Sequence, residues 1–98
     1  MTFLKIWKIS MLVIERTSQF KRDVKRVIKR GKAISKLRFI VDKLANKHIL
    51  EARYYDHALL GKYINARECH IEPDWLLIYR LTEKKLHLER TGSHSDLF

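Results

Sequence analysis

The residues best suited to chemistry lie in the C-terminal third of the chain, between His70 and His94. Besides these two histidines, the stretch contains a carboxylate, Asp74, a tryptophan, Trp75, and an arginine, Arg90. Histidine changes its charge near neutral pH and can therefore take up or release a proton during a reaction. Because arginine binds phosphate and tryptophan can stack on a base, this combination indicates chemistry on a nucleic acid.

Cleavage of RNA without a metal ion requires three groups. A base accepts the proton of the 2′-hydroxyl, a cation stabilises the charge on the phosphate, and an acid protonates the leaving 5′-oxygen. His57, His70 and His94 are candidates for the proton transfers. Arg90 is the candidate for charge stabilisation, and Asp74 is the candidate for orienting a histidine or a ribose. The sequence does not assign the base and the acid among the histidines.

Other catalytic chemistries fit the sequence less well. Cys69 is the only cysteine, which excludes an internal disulfide framework and suits a reducing cytoplasm. In a strand, Cys69 and His70 point to opposite faces, so they should not form a nucleophile–base pair. The five histidines lack the ligand spacing of a zinc site, and we expect no metal or other cofactor.

The charge of the chain predicts a polyanionic partner. Its 98 residues include 21 Lys and Arg against 11 Asp and Glu, which gives a formal net charge of +10. Such an excess attracts RNA, DNA, anionic lipid or an acidic protein, and charge alone does not choose among them. No segment approaches the ~20 apolar residues needed to cross a bilayer, so we expect no association with a membrane.

The chain is predicted to form a single domain at residues 11–98. Met11 opens a short, branched apolar run that is typical of a first strand. We interpret residues 1–10 as a dispensable N-terminal extension, translated from a start codon upstream of a native start at Met11.

The apolar pattern predicts a small α+β fold of order β-α-α-β-β-β, in which an antiparallel sheet packs against an N-terminal helical hairpin. After a strand at residues 12–16, a stripe formed by Phe20, Val24, Val27 and Ile28 predicts a helix that ends at Gly31. The remaining predicted elements are a helix at 34–46, a loop at 47–62, strands at 63–71, 75–82 and 85–91, and a tail at 92–98.

Three site residues have alternative interpretations. Trp75 either packs in the core of its strand or stacks on a base. Phe98 either frays or folds back over the site. Strict alternation places Arg90 on the face of Leu86 and Leu88, so, if that face is the core, Arg90 lies beyond its edge or the strand bulges.

Three strings of residues resemble the YafQ branch of the RelE/ParE toxin superfamily. The strings are Asp56-His57-x-Leu59-x-Gly61-x-Tyr63, Arg67-Glu68-x-His70-x-Glu72-Pro73-Asp74-Trp75-x-Leu77-x-Tyr79, and Glu89-Arg90-Thr91-Gly92-Ser93-His94-Ser95-Asp96-Leu97-Phe98. The resemblance spans residues 11–98 and includes the order of strands and helices. It implies a RelE-like fold and a bacterial type II toxin that cleaves mRNA in the ribosomal A site and leaves a 2′,3′-cyclic phosphate.

The resemblance also implies site residues and partners. Matched position by position, the functional residues of the branch fall on His57, His70, Asp74, Trp75, Arg90, His94 and Phe98. Trp75 and Phe98 would contact the substrate, and the other five would be catalytic. The implied cytoplasmic partners are a cognate antitoxin, the ribosome with its RNA, and mRNA. The toxin–antitoxin complex would bind operator DNA through the antitoxin.

A binding protein on the same fold is the main alternative. The ParE branch of the superfamily inhibits DNA gyrase and cleaves nothing, and neither fold nor charge separates the two functions. The histidines do discriminate, because a gyrase inhibitor has no need to assemble them.

Overall fold

The computed structural model describes residues 11–98, so the predicted extension at residues 1–10 lies outside the described residues. It has the predicted α+β fold. Its elements in chain order are β1 (Val13–Arg16), α1 (Ser18–Lys29), α2 (Ile34–Ala45), β2 (His57–Ala58), β3 (Arg67–Glu72), β4 (Trp75–Leu81), β5 (Lys85–Gly92) and α3 (His94–Leu97). Two 3₁₀ turns, Ala52–Tyr54 and Gly61–Tyr63, flank β2. No helix within residues 11–98 is long and apolar enough to span a membrane.

The five strands form one sheet in the order β1-β5-β4-β3-β2. Its neighbouring strands are antiparallel, as predicted, except at one edge, where β1 runs parallel to β5. Parallel neighbours need a long connection, and here both helices and three strands separate β1 from β5 along the chain. The sheet is therefore mixed rather than wholly antiparallel. The sequence did not predict this, because apolar periodicity does not show in which direction a strand joins a sheet.

Helix α1 ends close to the predicted Gly31 and has a capped start. The hydroxyl of Thr17 caps it by accepting a hydrogen bond from the backbone N–H of Phe20 at 2.9 Å. Gly31 follows its end with a φ of +84°, which glycine adopts without strain. Phe20 and Val27 are buried, but Ile28 is 51% exposed. Ile28 lies about 80° around the helix from Phe20, at the edge of the buried face.

The main core lies between the helical hairpin and the sheet. It contains Phe20, Val27, Leu37, Ile40, Leu44, Cys69, Ile71, Trp75, Leu77, Tyr79, Leu86 and Leu88, among others. A second, smaller cluster contains Ala66, Leu76, Ile78 and Leu97. Successive residues of β4 belong alternately to the two clusters, so this central strand is buried on both faces. Helix α3 covers the second face through Leu97.

Strand β3 begins later than the predicted strand at residues 63–71. Tyr63 ends a 3₁₀ turn, and Asn65 has a φ of +71°, a left-handed conformation that an extended strand excludes. The predicted loop at residues 47–62 contains β2, which pairs His57 with Glu68. A strand of two residues is too short to show a period in the sequence.

The predicted tail at residues 92–98 contains helix α3. Its start is a capping box, in which the Ser93 hydroxyl accepts from the backbone N–H of Asp96 and the Asp96 carboxylate accepts from that of Ser93. The segment that was predicted as a tail is thus folded, and it carries His94 and Phe98.

One buried carboxylate joins α1 to β5. Asp23 is 0% exposed. It accepts hydrogen bonds from Arg90 Nε at 2.7 Å, Arg26 Nη2 at 2.8 Å, Gln19 Nε2 at 3.0 Å and the backbone N–H of Thr91 at 3.1 Å. Burial acts to raise the pKa of Asp23, but the hydrogen bonds, that from Arg90 foremost, outweigh it and hold the pKa below its usual value.

We predict that Asp23→Asn lowers the free energy of unfolding by about 2–4 kcal/mol at pH 7, because it removes the anion between two arginines. Because folding lowers the pKa of Asp23, its contribution to the free energy of unfolding is fully present above the unfolded-state pKa of about 3.9. It is lost as the pH falls through the folded-state pKa. Urea unfolding should therefore show that the difference in the free energy of unfolding between wild type and Asp23→Asn shrinks as the pH falls into the acid range.

The control is Asp42→Asn, which changes an exposed carboxylate of α2 and should alter stability by less than about 0.5 kcal/mol. Equal effects of the two substitutions, or an effect of Asp23→Asn that is independent of pH, would contradict the role given to Asp23.

Candidate active site

The three predicted site histidines lie in a row. His57 belongs to β2, His70 to β3, and His94 is the first residue of α3. The ring centroids of His57 and His70 are 6.3 Å apart, and those of His70 and His94 are 5.7 Å apart. Their side chains are 32%, 20% and 54% exposed, respectively. A bound substrate could therefore reach His70 and His94, as proton transfer requires. Both ring nitrogens of His57 contact the protein, Nδ1 at 2.8 Å from the Tyr55 carbonyl oxygen and Nε2 at 3.3 Å from a Glu68 oxygen.

The carboxylate of Glu68, which the sequence analysis did not select, lies between two of the histidines. Its Oε2 is 3.3 Å from Nε2 of His57 and 3.4 Å from Nε2 of His70. Pairing of β2 with β3 places His57 opposite Glu68, and alternation places Glu68 on the same face as His70. Glu68 is only 5% exposed, so it can orient both rings from beneath the site.

Asp74 holds the third histidine. A single oxygen of Asp74, Oδ1, accepts hydrogen bonds from the backbone N–H of His94 at 2.8 Å and from its ring Nδ1 at 2.6 Å. These bonds, the backbone bond first, lower the pKa of Asp74. Because Nδ1 is engaged, Nε2 is the nitrogen of His94 that can face a substrate. Of the two roles predicted for Asp74, this contact supports the orientation of a histidine.

A bulge in β5 determines the position of Arg90. Tyr79 pairs with Leu88 but Ile78 pairs with Arg90, so Glu89 is an extra residue on β5. Arg90 therefore does not share the core face of Leu88, which resolves the conflict with strict alternation.

The guanidinium of Arg90 is bound to Asp23. Its Nε and Nη2 donate at 2.7 and 3.3 Å, which occupies two of its three nitrogens and raises its pKa. Both N–H groups of Nη1 and the second N–H of Nη2 remain for phosphate oxygens.

The two predicted substrate-binding aromatics have different environments. Trp75 is 1% exposed, and its indole N–H donates to the Thr91 hydroxyl at 2.9 Å. Trp75 is therefore a core residue, which supports the first of its two interpretations, core packing, over stacking on a base. Phe98 is 66% exposed and contacts the ring of Tyr63 edge-on, with centroids 5.6 Å apart. Phe98 remains open to a base.

Tyr55 adds an aromatic ring that sequence reasoning missed. Its ring centroid is 4.5 Å from that of His57 and 5.4 Å from that of His70. Its φ of +47° is left-handed, which is rare for a tyrosine and leaves no pattern in the sequence. The next residue, Asp56, accepts hydrogen bonds from the Tyr79 hydroxyl at 2.6 Å and from Arg67 Nε at 3.2 Å. These bonds anchor the segment that carries Tyr55 and His57.

Cys69 lies directly beneath the site but cannot take part in it. Its side chain is 0% exposed, and burial raises the pKa of the thiol to about 12. This supports the interpretation of Cys69 as a core residue rather than a nucleophile.

Ion pairs from α1 and its C-cap residue, Arg30, hold α3 and thereby His94. Arg30 donates to both oxygens of Asp96, from Nη1 at 2.6 Å and from Nη2 at 3.0 Å. Arg26 Nε lies 3.8 Å from the same carboxylate. The bonds from Arg30 lower the pKa of Asp96 well below its usual value. We call the contacts of Arg26, Arg30 and Asp96 the α3 clamp.

We predict that Arg30→Ala loosens α3 without unfolding the domain, because it removes both bonds to Asp96. The amide protons of Leu97 and Phe98, which bond to residues 93 and 94, should exchange faster in NMR experiments. The pKa of Asp96 should rise towards its ordinary value, so the remaining docking should be lost at a higher pH than in the wild type.

Arg22→Ala serves as the control for the α3 clamp, because Arg22 lies on the helix that Arg30 caps and bonds to Gln19 instead. Equal exchange rates of the α3 amide protons in Arg30→Ala and Arg22→Ala would contradict the proposed role of the α3 clamp.

Comparison with known proteins gives one family. Residues 12–98 match a family model described as the bacterial toxin of a type II toxin–antitoxin system, YafQ. The mRNA interferase toxin YafQ of Escherichia coli strain K12 is 46% identical over 86 residues, which cover 87% of this chain and 94% of that protein.

Two solved structures have the same fold as this chain. A crystal structure of YafQ from E. coli strain BL21(DE3) superposes with a TM-score of 0.85 at 44% identity, over 89% of this chain and 98% of that one. YafQ in the crystal structure of the E. coli DinJ–YafQ toxin–antitoxin complex superposes with a TM-score of 0.83 at 45% identity, over 90% and 98%.

Proposed function

This chain belongs to the YafQ family of toxins from bacterial type II toxin–antitoxin systems, and from that premise we propose that it is an endoribonuclease that cleaves mRNA in the ribosomal A site. The name of its E. coli K12 relative, an mRNA interferase toxin, supports this activity. The E. coli DinJ–YafQ complex supports neutralisation by a cognate antitoxin. The reaction takes place in the cytoplasm, and the toxin–antitoxin complex binds operator DNA through the antitoxin.

The observation that carries the proposal is the row of His57, His70 and His94. His70 and His94 are the acid–base pair, since their rings are 5.7 Å apart and both can contact the same phosphodiester. One imidazole removes the 2′-hydroxyl proton, and the 2′-oxygen bonds to phosphorus as the bond to the 5′-oxygen breaks. The other imidazole protonates that oxygen. The upstream product ends in a 2′,3′-cyclic phosphate and the downstream product begins with a 5′-hydroxyl. His57 is the third participant in the acid–base chemistry.

Two carboxylates give the histidines their orientation. Asp74 fixes Nδ1 of His94, and Glu68 lies within 3.4 Å of both other rings. An imidazole that is already aligned for proton transfer loses less entropy on reaching the transition state. Asp74 and Glu68 therefore act through the histidines, as positioning residues.

Arg90 stabilises the negative charge that develops on the phosphate. A fixed cation is more effective than a mobile one, because it does not reorganise during the reaction. Asp23 supplies that rigidity through two bonds to the guanidinium, and Trp75 contributes from the core by bonding to Thr91, the next residue.

Exposed aromatic rings and the basic surface bind the RNA. Phe98 and Tyr55 are 66% and 63% exposed and flank the row of histidines, where bases can stack on them. The net charge of +10 attracts mRNA and ribosomal RNA, so association should weaken as the salt concentration rises.

We predict that His70→Ala and Arg90→Ala each reduce cleavage by about 10²- to 10⁴-fold, because each removes a group that acts only in the transition state. Induced expression of each variant should no longer arrest growth. Mapping of mRNA ends should show the loss of codon-phased cuts that the wild type makes.

The matched control is His48→Ala, an exposed histidine that follows α2 and lies outside the row. It should retain wild-type cleavage, and circular dichroism should show that all variants fold. Growth arrest by the wild type without codon-phased cuts, or with DNA breaks as expected of a gyrase inhibitor, would refute the proposal.

A further inference from the structure

We propose that a groove beside His70 is a binding subsite for an mRNA nucleotide that flanks the cleaved bond. The groove has a volume of about 530 Å³ and lies between α2, the 3₁₀ turn at residues 52–54 and the end of β3. Sites for small ligands commonly have volumes of about 300–1,000 Å³, so one nucleotide fits. The inference rests on the proposed ribonuclease function, because it assumes that RNA is the substrate.

The groove is continuous with the row of histidines. His70 lines it and also stands between His57 and His94. An RNA strand whose phosphodiester lies at His70 would therefore have a neighbouring nucleotide at the mouth of the groove. No step of the proposed chemistry uses the other residues that line the groove, so catalysis does not explain their composition.

Arg53 and Tyr54 form a flat platform on one wall. The guanidinium of Arg53 lies over the ring of Tyr54, 4.7 Å from its centroid, and Nη2 donates to the Tyr54 hydroxyl at 2.8 Å. The side chain of Arg53 is 69% exposed, so the outer face of its guanidinium plane is open. RNA bases stack on such planes and on aromatic rings. Phe39, which also lines the groove, is 46% exposed, although Nζ of Lys43 lies over one face of its ring.

The charge in the groove suits a phosphate. Glu72 is paired at 2.7 Å with Lys32 through one oxygen and with Lys36 through the other. These bonds lower the pKa of Glu72 and leave the three residues with a net positive charge. They also tie α2 to the end of β3, so the walls of the groove are set before RNA binds. Arg53 is balanced by Glu51 at 3.2 Å, an exposed pair that a phosphate can displace.

Binding of RNA to a non-cleaving form of the full chain tests the subsite. The form is His94→Ala, the probe is a single-stranded RNA hexanucleotide of mixed sequence, and the readouts are fluorescence anisotropy and NMR shifts of the Phe39 and Tyr54 rings. Further substitution by Arg53→Ala or Lys36→Ala should weaken binding about tenfold. Each should also reduce the slope of log K against log salt by about 0.7 per lost phosphate contact.

Two additional variants separate stacking and site-specific charge from general attraction. Arg53→Lys keeps the charge but not the plane, so the salt slope should persist while the ring shifts diminish. Lys25→Ala removes one exposed lysine from α1, away from the groove, and should change the Kd by less than about twofold.

The outcomes distinguish the subsite from the proposed function. If the wild type cleaves mRNA but Arg53→Ala and Lys36→Ala bind RNA like Lys25→Ala, the subsite is refuted and the function stands. Unchanged RNA binding with weakened antitoxin binding would assign the groove to the antitoxin and overturn the inference. Absence of cleavage by the wild type would instead refute the proposed function.

Discussion

The buried carboxylate of Asp23 accepts hydrogen bonds from both Arg90 and the backbone of Thr91, and the arrangement of the site depends on that anion. The hydroxyl of Thr91 in turn accepts from the Trp75 indole at 2.9 Å and donates to the Leu76 carbonyl at 2.7 Å. One charge on α1 therefore fixes the bulged end of β5, the start of β4 and the direction of the Arg90 guanidinium. Stability and catalysis share this network, because the same bonds that join helix to sheet also immobilise the catalytic cation.

Acidic residues have a specific use in this basic chain. The chain has 11 of them against 21 Lys and Arg, and several are paired with the cationic or proton-transferring groups of the site. Glu68 and Asp74 contact the three histidines. Asp96 pairs with Arg30 and so attaches the helix that carries His94 to the end of α1. Each anion orients the groups that it pairs with, while the excess positive charge remains on the surface, where RNA can be attracted.

The sequence predicted those parts of the structure that depend on local patterns. The stripe containing Phe20 and Val27 predicted α1. The three histidines that the sequence indicated as candidates for proton transfer do lie together. Asp23 was missed because its partner Arg90 is 67 positions away, and no local pattern distinguishes a buried carboxylate from an exposed one. The turn at Asn65 and the ring of Tyr55 depend on left-handed backbone conformations that their residue types do not predict.

The chemical nature of the cleaved ends tests the central claim, metal-free attack by the 2′-hydroxyl, most directly. Ribosomes programmed with a defined mRNA would be treated with the protein, and the 3′ ends of the upstream fragments would be analysed by mass spectrometry. The account predicts a 2′,3′-cyclic phosphate on the upstream fragment and no cleavage when the nucleotide at that position carries a 2′-deoxy group. A 3′-hydroxyl end, or cleavage of the 2′-deoxy message at the wild-type rate, would contradict it.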